Sequence, residues 1–364
     1  MRILFLCGSL ELGKSGIGDY CRRISEQLVK LGHEPSIASL EDFCEDDNVV
    51  SNDNNLIFPI LRLSVELSRK ERLIKLKNYI EKFNPDWISL QYCPFSTQKI
   101  GLPFYQRKLK KLAPAVNWHI MFHELWVGMD RNASLKFSIW GALQKIVLKK
   151  VVHSISPKIT HTQSHVYQAF LTKEGIKAEI LPLFSNIPPV CTKDKNVIDQ
   201  ESISFAVFGT LHRDARFKEF VNWILHITKD KNVTFNFIGN NGPELENWIS
   251  ILKEKEFVYK IYGRQSPENI SKIFSDATLG IVTTPYLFLE KSGTVFAMLE
   301  HNLPVICITK DWIPKINFDE GLMKLPVIKW NECMTLNEML DYNIEFESGI
   351  ESVVVKFLSA IKSE

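Results

Sequence analysis

The chain has 364 residues, 45% of them hydrophobic and 24% charged, with a formal net charge of +2 at neutral pH. That length exceeds one ordinary core and suits two domains, and the apolar and charged fractions argue against a disordered or fibrous chain. Seven cysteines, at 7, 21, 44, 93, 191, 307 and 333, are odd in number, scattered and never spaced C-x-x-C, which argues against a disulfide framework or a cysteine zinc site and for a reducing compartment.

The start MRILFLCGSLELG has an apolar run too short for a signal peptide, and no stretch of about 18 apolar residues follows, so a cytoplasmic protein is expected. RILFLC reads as a strand. SGIGDYCRRISEQLVKLGHE reads as a helix, with Ile17, Tyr20, Cys21, Ile24, Leu28 and Leu31 at helical spacing and Gly32 as its stop. SIASL opens a second strand, Glu41 to Asp53 is an acidic loop, and Leu61 to Phe83 is expected as one long helix. Strand DWISLQY, a basic helix near Tyr105 to Leu112 and strand VNWHIMFH follow.

After a junction rich in Pro, Lys and Asp, the second half repeats the theme. SISFAVFG, a helix over Lys218 to Ile227, VTFNFIG, a helix over Glu244 to Lys253, VYKIYG, SPENISKIFSDA and TLGIVTT alternate as strand and helix. Alternation of this kind implies an α/β chain of two Rossmann-like domains, each a parallel sheet with helices on both faces. The expected divisions are residues 1–188, a linker 189–201, a second domain 202–345 and an amphipathic C-terminal helix 346–364.

Ligands of open α/β sheets bind beyond the carboxyl ends of the strands, so the residues just after strands are the candidates. In the second half, Lys291, Ser292, Gly293 and Thr294 open a helix after ATLGIVTTPY. Unpaired N–H groups and the positive dipole end favour an anion there, and Lys291 adds a formal charge, which suits a diphosphate. Glu300 lies about two turns further on, before Asn302 and Pro304 stop the helix, where a carboxylate can accept from a ribose diol. Gly209 to Arg216 and Gly239 to Gly242 follow two other strands. In the first half the same rule selects Gly16, Gly18 and Asp19, and then His123 and Glu124 in FHELW, with Trp126 placed to stack on a sugar ring.

Two other motifs compete. Gly8, Gly13, Lys14 and Ser15 satisfy G-x-x-x-x-G-K-[ST] between a strand and a helix, the P-loop context. Against a P-loop NTPase, Gly16 and Gly18 follow at once, and the acid Asp86 precedes its strand instead of ending it to hold Mg²⁺. His161 and His165 are spaced to share a helix face, yet no acidic third ligand is spaced with them, so no metal site is expected.

The segment KSGTVFAMLEHNLPVI, the glycine loop SGIG and the HELW segment resemble the retaining family 4 glycosyltransferases. The family pattern pairs two glutamates, the second followed by small residues, Gly and Pro. Glu300 matches the second, while Ser292 occupies the position of the first and Glu290 is out of place to restore it. The resemblance implies the GT-B fold, two Rossmann-like domains facing across a cleft, with the C-terminal helix crossing back to the first. It implies transfer of a sugar from a nucleoside diphosphate sugar to a carbohydrate or lipid-linked acceptor hydroxyl, with no cofactor and no metal. His123, with Glu124 and Asp19 as alternatives, would act near the sugar. Gly16, Gly18, Gly209, Lys291 to Thr294 and Glu300 would hold the donor. The family's arginine after the first strand of the second domain is unmatched at Thr210, and Arg216, with Arg213, falls near its lysine. A non-catalytic nucleotide-sugar-binding protein is the alternative.

Charge is uneven. Residues 1–190 hold 25 basic and 18 acidic side chains, residues 191–364 hold 19 and 24, and residues 96–150 alone hold ten basic and two acidic. Such a patch suits anionic lipid headgroups at the inner face of a membrane, or else a solvated helix face. Without a nucleic-acid motif, no nucleic-acid partner is expected.

Overall fold

Strands buried on both faces need continuous apolar runs, and RILFLC, SISFAVF and LGIV supply them. The structure, a computed structural model, describes residues 1–11, 15–43, 51–53, 56–190, 202–228, 231–340, 342, 346 and 349–363. Gly13 and Lys14 of the P-loop match and nearly all of the expected linker lie outside the described residues. The chain divides into two compact units, one of Met1–Pro182, Ile313–Phe318 and Ile350–Glu364, the other of Leu183–Trp312 and Asp319–Gly349.

In the first unit β1 (Arg2–Cys7) leads through α1 (Gly16–Lys30) to β2 (Glu34–Asp42). A short hairpin of β3 (Ser51–Asp53) and β4 (Leu56–Phe58) precedes β5 (Ile60–Ser64), α2 (Arg69–Phe83) and β6 (Trp87–Tyr92). A 3-10 helix (Phe104–Leu112), β7 (Asn117–Phe122), α3 (Leu135–Ile155), β8 (Ile159–Thr162), α4 (His165–Lys173) and β9 (Glu179–Ile180) complete the run. Seven strands form one parallel sheet in the order β5-β2-β1-β6-β7-β8-β9.

The second unit runs β10 (Ser202–Phe208), α5 (Phe217–Ile227), β11 (Asn232–Ile238), α6 (Glu244–Glu254), β12 (Val258–Gly263), α7 (Pro267–Asp276) and β13 (Leu279–Val282). A second 3-10 helix (Tyr286–Lys291), α8 (Gly293–Glu300), β14 (Val305–Cys307), β15 (Val327–Lys329) and α9 (Leu336–Leu340) follow. Its parallel sheet has the order β12-β11-β10-β13-β14-β15. Phe205, Phe235 and Phe237 fill one face, where Phe217 stacks on Trp248 at 3.6 Å. The C-terminal helix α10 (Ile350–Lys362) packs on α1 of the first unit, and Phe357 lies 6.1 Å from Phe5.

The expected single helix over Leu61 to Phe83 is corrected. Its first residues form β5 beside β2, and the helix begins only at Arg69, where the Ser68 hydroxyl accepts from Glu71 N–H and the Glu71 carboxylate accepts from Ser68 N–H. That capping box outweighs the periodicity upstream.

One buried carboxylate ties the loop after β1 to β5. Asp42, fully buried, accepts from Arg62 Nε (3.0 Å) and Nη2 (2.8 Å), from the Leu10 N–H (2.9 Å) and from the Ser39 hydroxyl (2.8 Å). Burial pushes its pKa up, but the Arg62, Leu10 and Ser39 hydrogen bonds overcome that and leave it at about 2. Asp42→Ala is expected to cost about 3 kcal/mol in urea denaturation at pH 7, because it removes the acceptor that Arg62 and the Leu10 and Phe43 N–H groups share. Because the folded pKa lies below the ordinary 3.8, this stabilisation is complete above that value and is lost as pH falls through about 2. An advantage over the variant that persists undiminished at pH 2 would contradict this account.

Candidate functional site

In the second unit the carboxyl ends of β10 and β13 converge on the start of α8. β10 ends on Gly209, whose φ of +82° lies in the left-handed region, and a Cβ built there would stand 2.8 Å from the Thr294 methyl. Only glycine satisfies both conditions cheaply. Asn241, after β11, donates to the Gly209 carbonyl at 2.8 Å. Thr283, after β13, accepts from His212 N–H at 3.0 Å and donates to the Thr210 carbonyl at 3.1 Å, lacing the two loops together.

Helix α8 opens at Gly293 after Ser292, whose backbone is extended (φ −93°, ψ 105°). Among the described residues no side chain caps it, and its first turn holds no acid. The Ser292 and Thr294 hydroxyls lie 2.9 Å apart, and Gly293 is exposed with open space where a Cβ would stand. An uncapped helix start with two hydroxyls and an exposed backbone leaves N–H groups able to receive an anion. Lys291, the preceding cation, lies 5.5 Å from the Phe288 ring centroid. Glu290 is buried.

Glu300 closes α8, and its Oε1 accepts from the Ser185 N–H at 2.8 Å. The carboxylate expected to meet a ribose thus also holds the chain entering this unit. Next to it, His301 bridges the Ala297 carbonyl (2.6 Å) and the Ser271 hydroxyl (2.9 Å), and Ser271 accepts from Val190 N–H. Arg216 is engaged within the unit, paired with Glu332 and lying 4.7 Å over the Trp330 ring, while Arg213 is exposed.

In the first unit Ser15 caps α1 by accepting from Gly18 N–H at 3.1 Å, with Gly16 exposed beside it. Gly18 is required because a Cβ there would lie 2.6 Å from the Ser9 carbonyl. Asp19 stands 3.8 Å from Arg22, whose guanidinium donates to the Leu10 carbonyl at 2.7 Å. His123, buried just past β7, meets Gln91 Oε1 through Nε2 at 2.8 Å, and the Tyr20 ring lies edge-on at 5.1 Å. Glu124 accepts from the Tyr167 hydroxyl at 2.8 Å. The expectation of Trp126 as a sugar platform is corrected: the ring is buried edge-on against Phe170, and the Lys145 ammonium lies over it at 5.7 Å. His161 faces His119 at 2.9 Å inside the sheet.

Sequence reasoning missed Gln91, Tyr167, Asn241 and Thr283. Gln91 had a signal, since a polar side chain inside a central parallel strand is costly unless it is bonded.

No protein-family profile and no curated protein matches the chain. Among solved structures it is similar to Anabaena HepE in complex with UDP and glucose, at 11% identity over 100% of both chains and a TM-score of 0.61. It is also similar to the lipopolysaccharide outer core galactosyltransferase WaaB, at 14% identity over 100% of this chain and 99% of that one, TM-score 0.57. The sucrose-phosphate synthase of Thermosynechococcus elongatus matches at 14% identity over 84% of this chain and 81% of its own, TM-score 0.57. The chain therefore has the fold of the GT-B glycosyltransferases, two Rossmann-like α/β domains.

Gly209→Ala is expected to place a strained residue against Thr294 and shift the start of α8, costing about 1 to 3 kcal/mol of stability. Thermal unfolding and nucleoside diphosphate titration should both register it. Wild-type values for both would show that Gly209 does not shape that helix start.

Proposed function

We propose that the protein is a glycosyltransferase that moves a sugar from a nucleoside diphosphate sugar to an acceptor hydroxyl with retention of configuration. The observation that carries the reading is the uncapped start of α8, with Lys291 before it and Gly209 pressed against Thr294, in a fold that HepE uses with UDP and glucose. In this reading the backbone of Gly293 and Thr294 and the Lys291 ammonium neutralise the diphosphate as it departs, so transfer needs no divalent cation. Glu300 holds the ribose. His123 acts on the sugar, where a positioned imidazole can accept from a hydroxyl or support an oxocarbenium-like state.

Glu300→Ala is expected to weaken nucleoside diphosphate binding by about 1.5 to 3 kcal/mol, read by calorimetry with UDP and GDP. Because Glu300 also holds Ser185, Glu300→Gln separates the roles: its amide oxygen still accepts from that N–H, so stability is kept while ribose affinity falls. His123→Ala should lower turnover by roughly 10²-fold or more with nucleotide affinity unchanged. Donor hydrolysis without acceptor separates an enzyme from a non-catalytic nucleotide-sugar binder, and near wild-type transfer by His123→Ala would sink the assignment.

The acceptor is proposed to be lipid-linked. Arg69, Lys70 and Lys77 of α2, with Arg107 and Lys108 of the first 3-10 helix, rim a groove of about 590 Å³ floored by apolar side chains such as Leu73. On α3, which packs against that 3-10 helix, Leu135, Ile139, Leu143 and Ile146 are exposed. Lys145 and Lys149 do not belong to the patch in the way the charge count implies, since both pair with Glu174. Binding to anionic vesicles is expected at low salt and should fall as salt rises, with Arg107→Glu/Lys108→Glu weakening it by about 1 kcal/mol per residue changed. Equal, negligible sedimentation with anionic and neutral vesicles would favour a soluble acceptor.

A further inference from the structure

Behind His123 a chain of polar side chains crosses the first sheet. Ser89 and Gln91 on β6, His119 on β7 and His161 on β8 share one face, since Ser89 stands opposite His119, and Gln91 opposite Met121, which stands opposite His161. Each is 2% exposed or less. Gln91 Nε2 reaches Ser89 Oγ at 2.6 Å and the Ser89 carbonyl at 3.4 Å. Ser89 Oγ meets His119 Nδ1 at 2.7 Å, and His119 Nε2 meets His161 Nδ1 at 2.9 Å. His161 Nε2 is buried with no hydrogen-bond partner among the described residues.

The direction of the chain follows from one group. A main-chain carbonyl oxygen can only accept, so the end of the Gln91 amide beside the Ser89 carbonyl is its NH₂. The other end, facing His123, is the amide oxygen. That oxygen also only accepts, so the proton between it and His123 belongs to the imidazole Nε2.

We propose that Gln91 is a positioning residue that holds neutral His123 as its Nε2–H tautomer, so that Nδ1 carries the lone pair of the ring. The catalytic consequence rests on the function proposed above: Nδ1 is then the nitrogen that accepts from a sugar hydroxyl. Ser89 and the two histidines fix the amide that fixes the ring, and the edge of Tyr20 sets its plane. Burial holds His119 well below the usual imidazole range and takes His161 down to about 4, so the chain behind Gln91 stays uncharged near neutral pH. A neutral chain leaves the Gln91 amide with no charge to turn toward.

The test is direct. In the full chain labelled with ¹⁵N-histidine, long-range ¹⁵N–¹H correlations read each tautomer, with His123 assigned by the signal lost in His123→Asn. Neutral His123 is expected to be protonated at Nε2. Gln91→Leu should lose that preference and lower kcat by about 10²-fold at unchanged nucleoside diphosphate affinity. Gln91→Glu, whose carboxylate also accepts from Nε2–H, should retain the tautomer, recover most of kcat and raise the pKa of His123. A wild-type ring protonated at Nδ1 overturns the proposal, as does a Gln91→Glu chain in which Nε2–H is lost. The tautomer is read whether or not any sugar is transferred, so failure of the proposed function leaves this result standing.

Discussion

The Asp42 carboxylate is the constraint around which the first half of the chain is arranged. A carboxylate removed from water is tolerated only when charge and hydrogen bonds replace its hydration. Here two replacements come from places distant in sequence, Arg62 on the edge strand and Leu10 in the loop after β1, and a third from Ser39 on the same strand. Satisfying the charge therefore positions the loop, and the loop determines what α1 may present to it. Gly18 is the answer, because the Ser9 carbonyl leaves no room for a side chain. Gly18 is in this sense a packing requirement before it is part of a binding motif, whereas Gly16 stands in open space.

The alternation of strands and helices was readable from periodicity because parallel strands buried on both faces cannot hide their apolar runs. Elements went astray where local signals overlapped. Ile60–Ser64 carries apolar residues that fit a helix as readily as a strand, and the capping box at Ser68 and Glu71 decides where the helix starts. The basic helix expected near Tyr105 to Leu112 is present as Phe104–Leu112, of 3-10 type.

The helix start at Gly293, after Lys291 and Ser292, was legible from its composition, whereas contacts made by elements distant in sequence were not. No pattern in the sequence pairs Asn241 with Gly209, Tyr167 with Glu124, or Gln91 with His123, since each pair is separated by many residues and joined only by the fold. Arginine identity was similarly insufficient: Arg216 has the right chemistry for a phosphate, yet Glu332 and the Trp330 ring engage it within its own unit.

The hydrogen bond from Ser185 N–H to Glu300 makes one end of α8 a meeting point for two demands on a single carboxylate. Whatever competes for that oxygen also bears on the backbone at 185, and by thermodynamic reciprocity whatever disturbs the backbone there alters how tightly the competitor is held. The neighbouring bridge from His301 through Ser271 to Val190 bears on the same segment from a second point. Residues 185 and 190 are thus held by hydrogen bonds that lead to two adjacent side chains at the end of α8, so hydrogen exchange at those amides should report any change at that helix end.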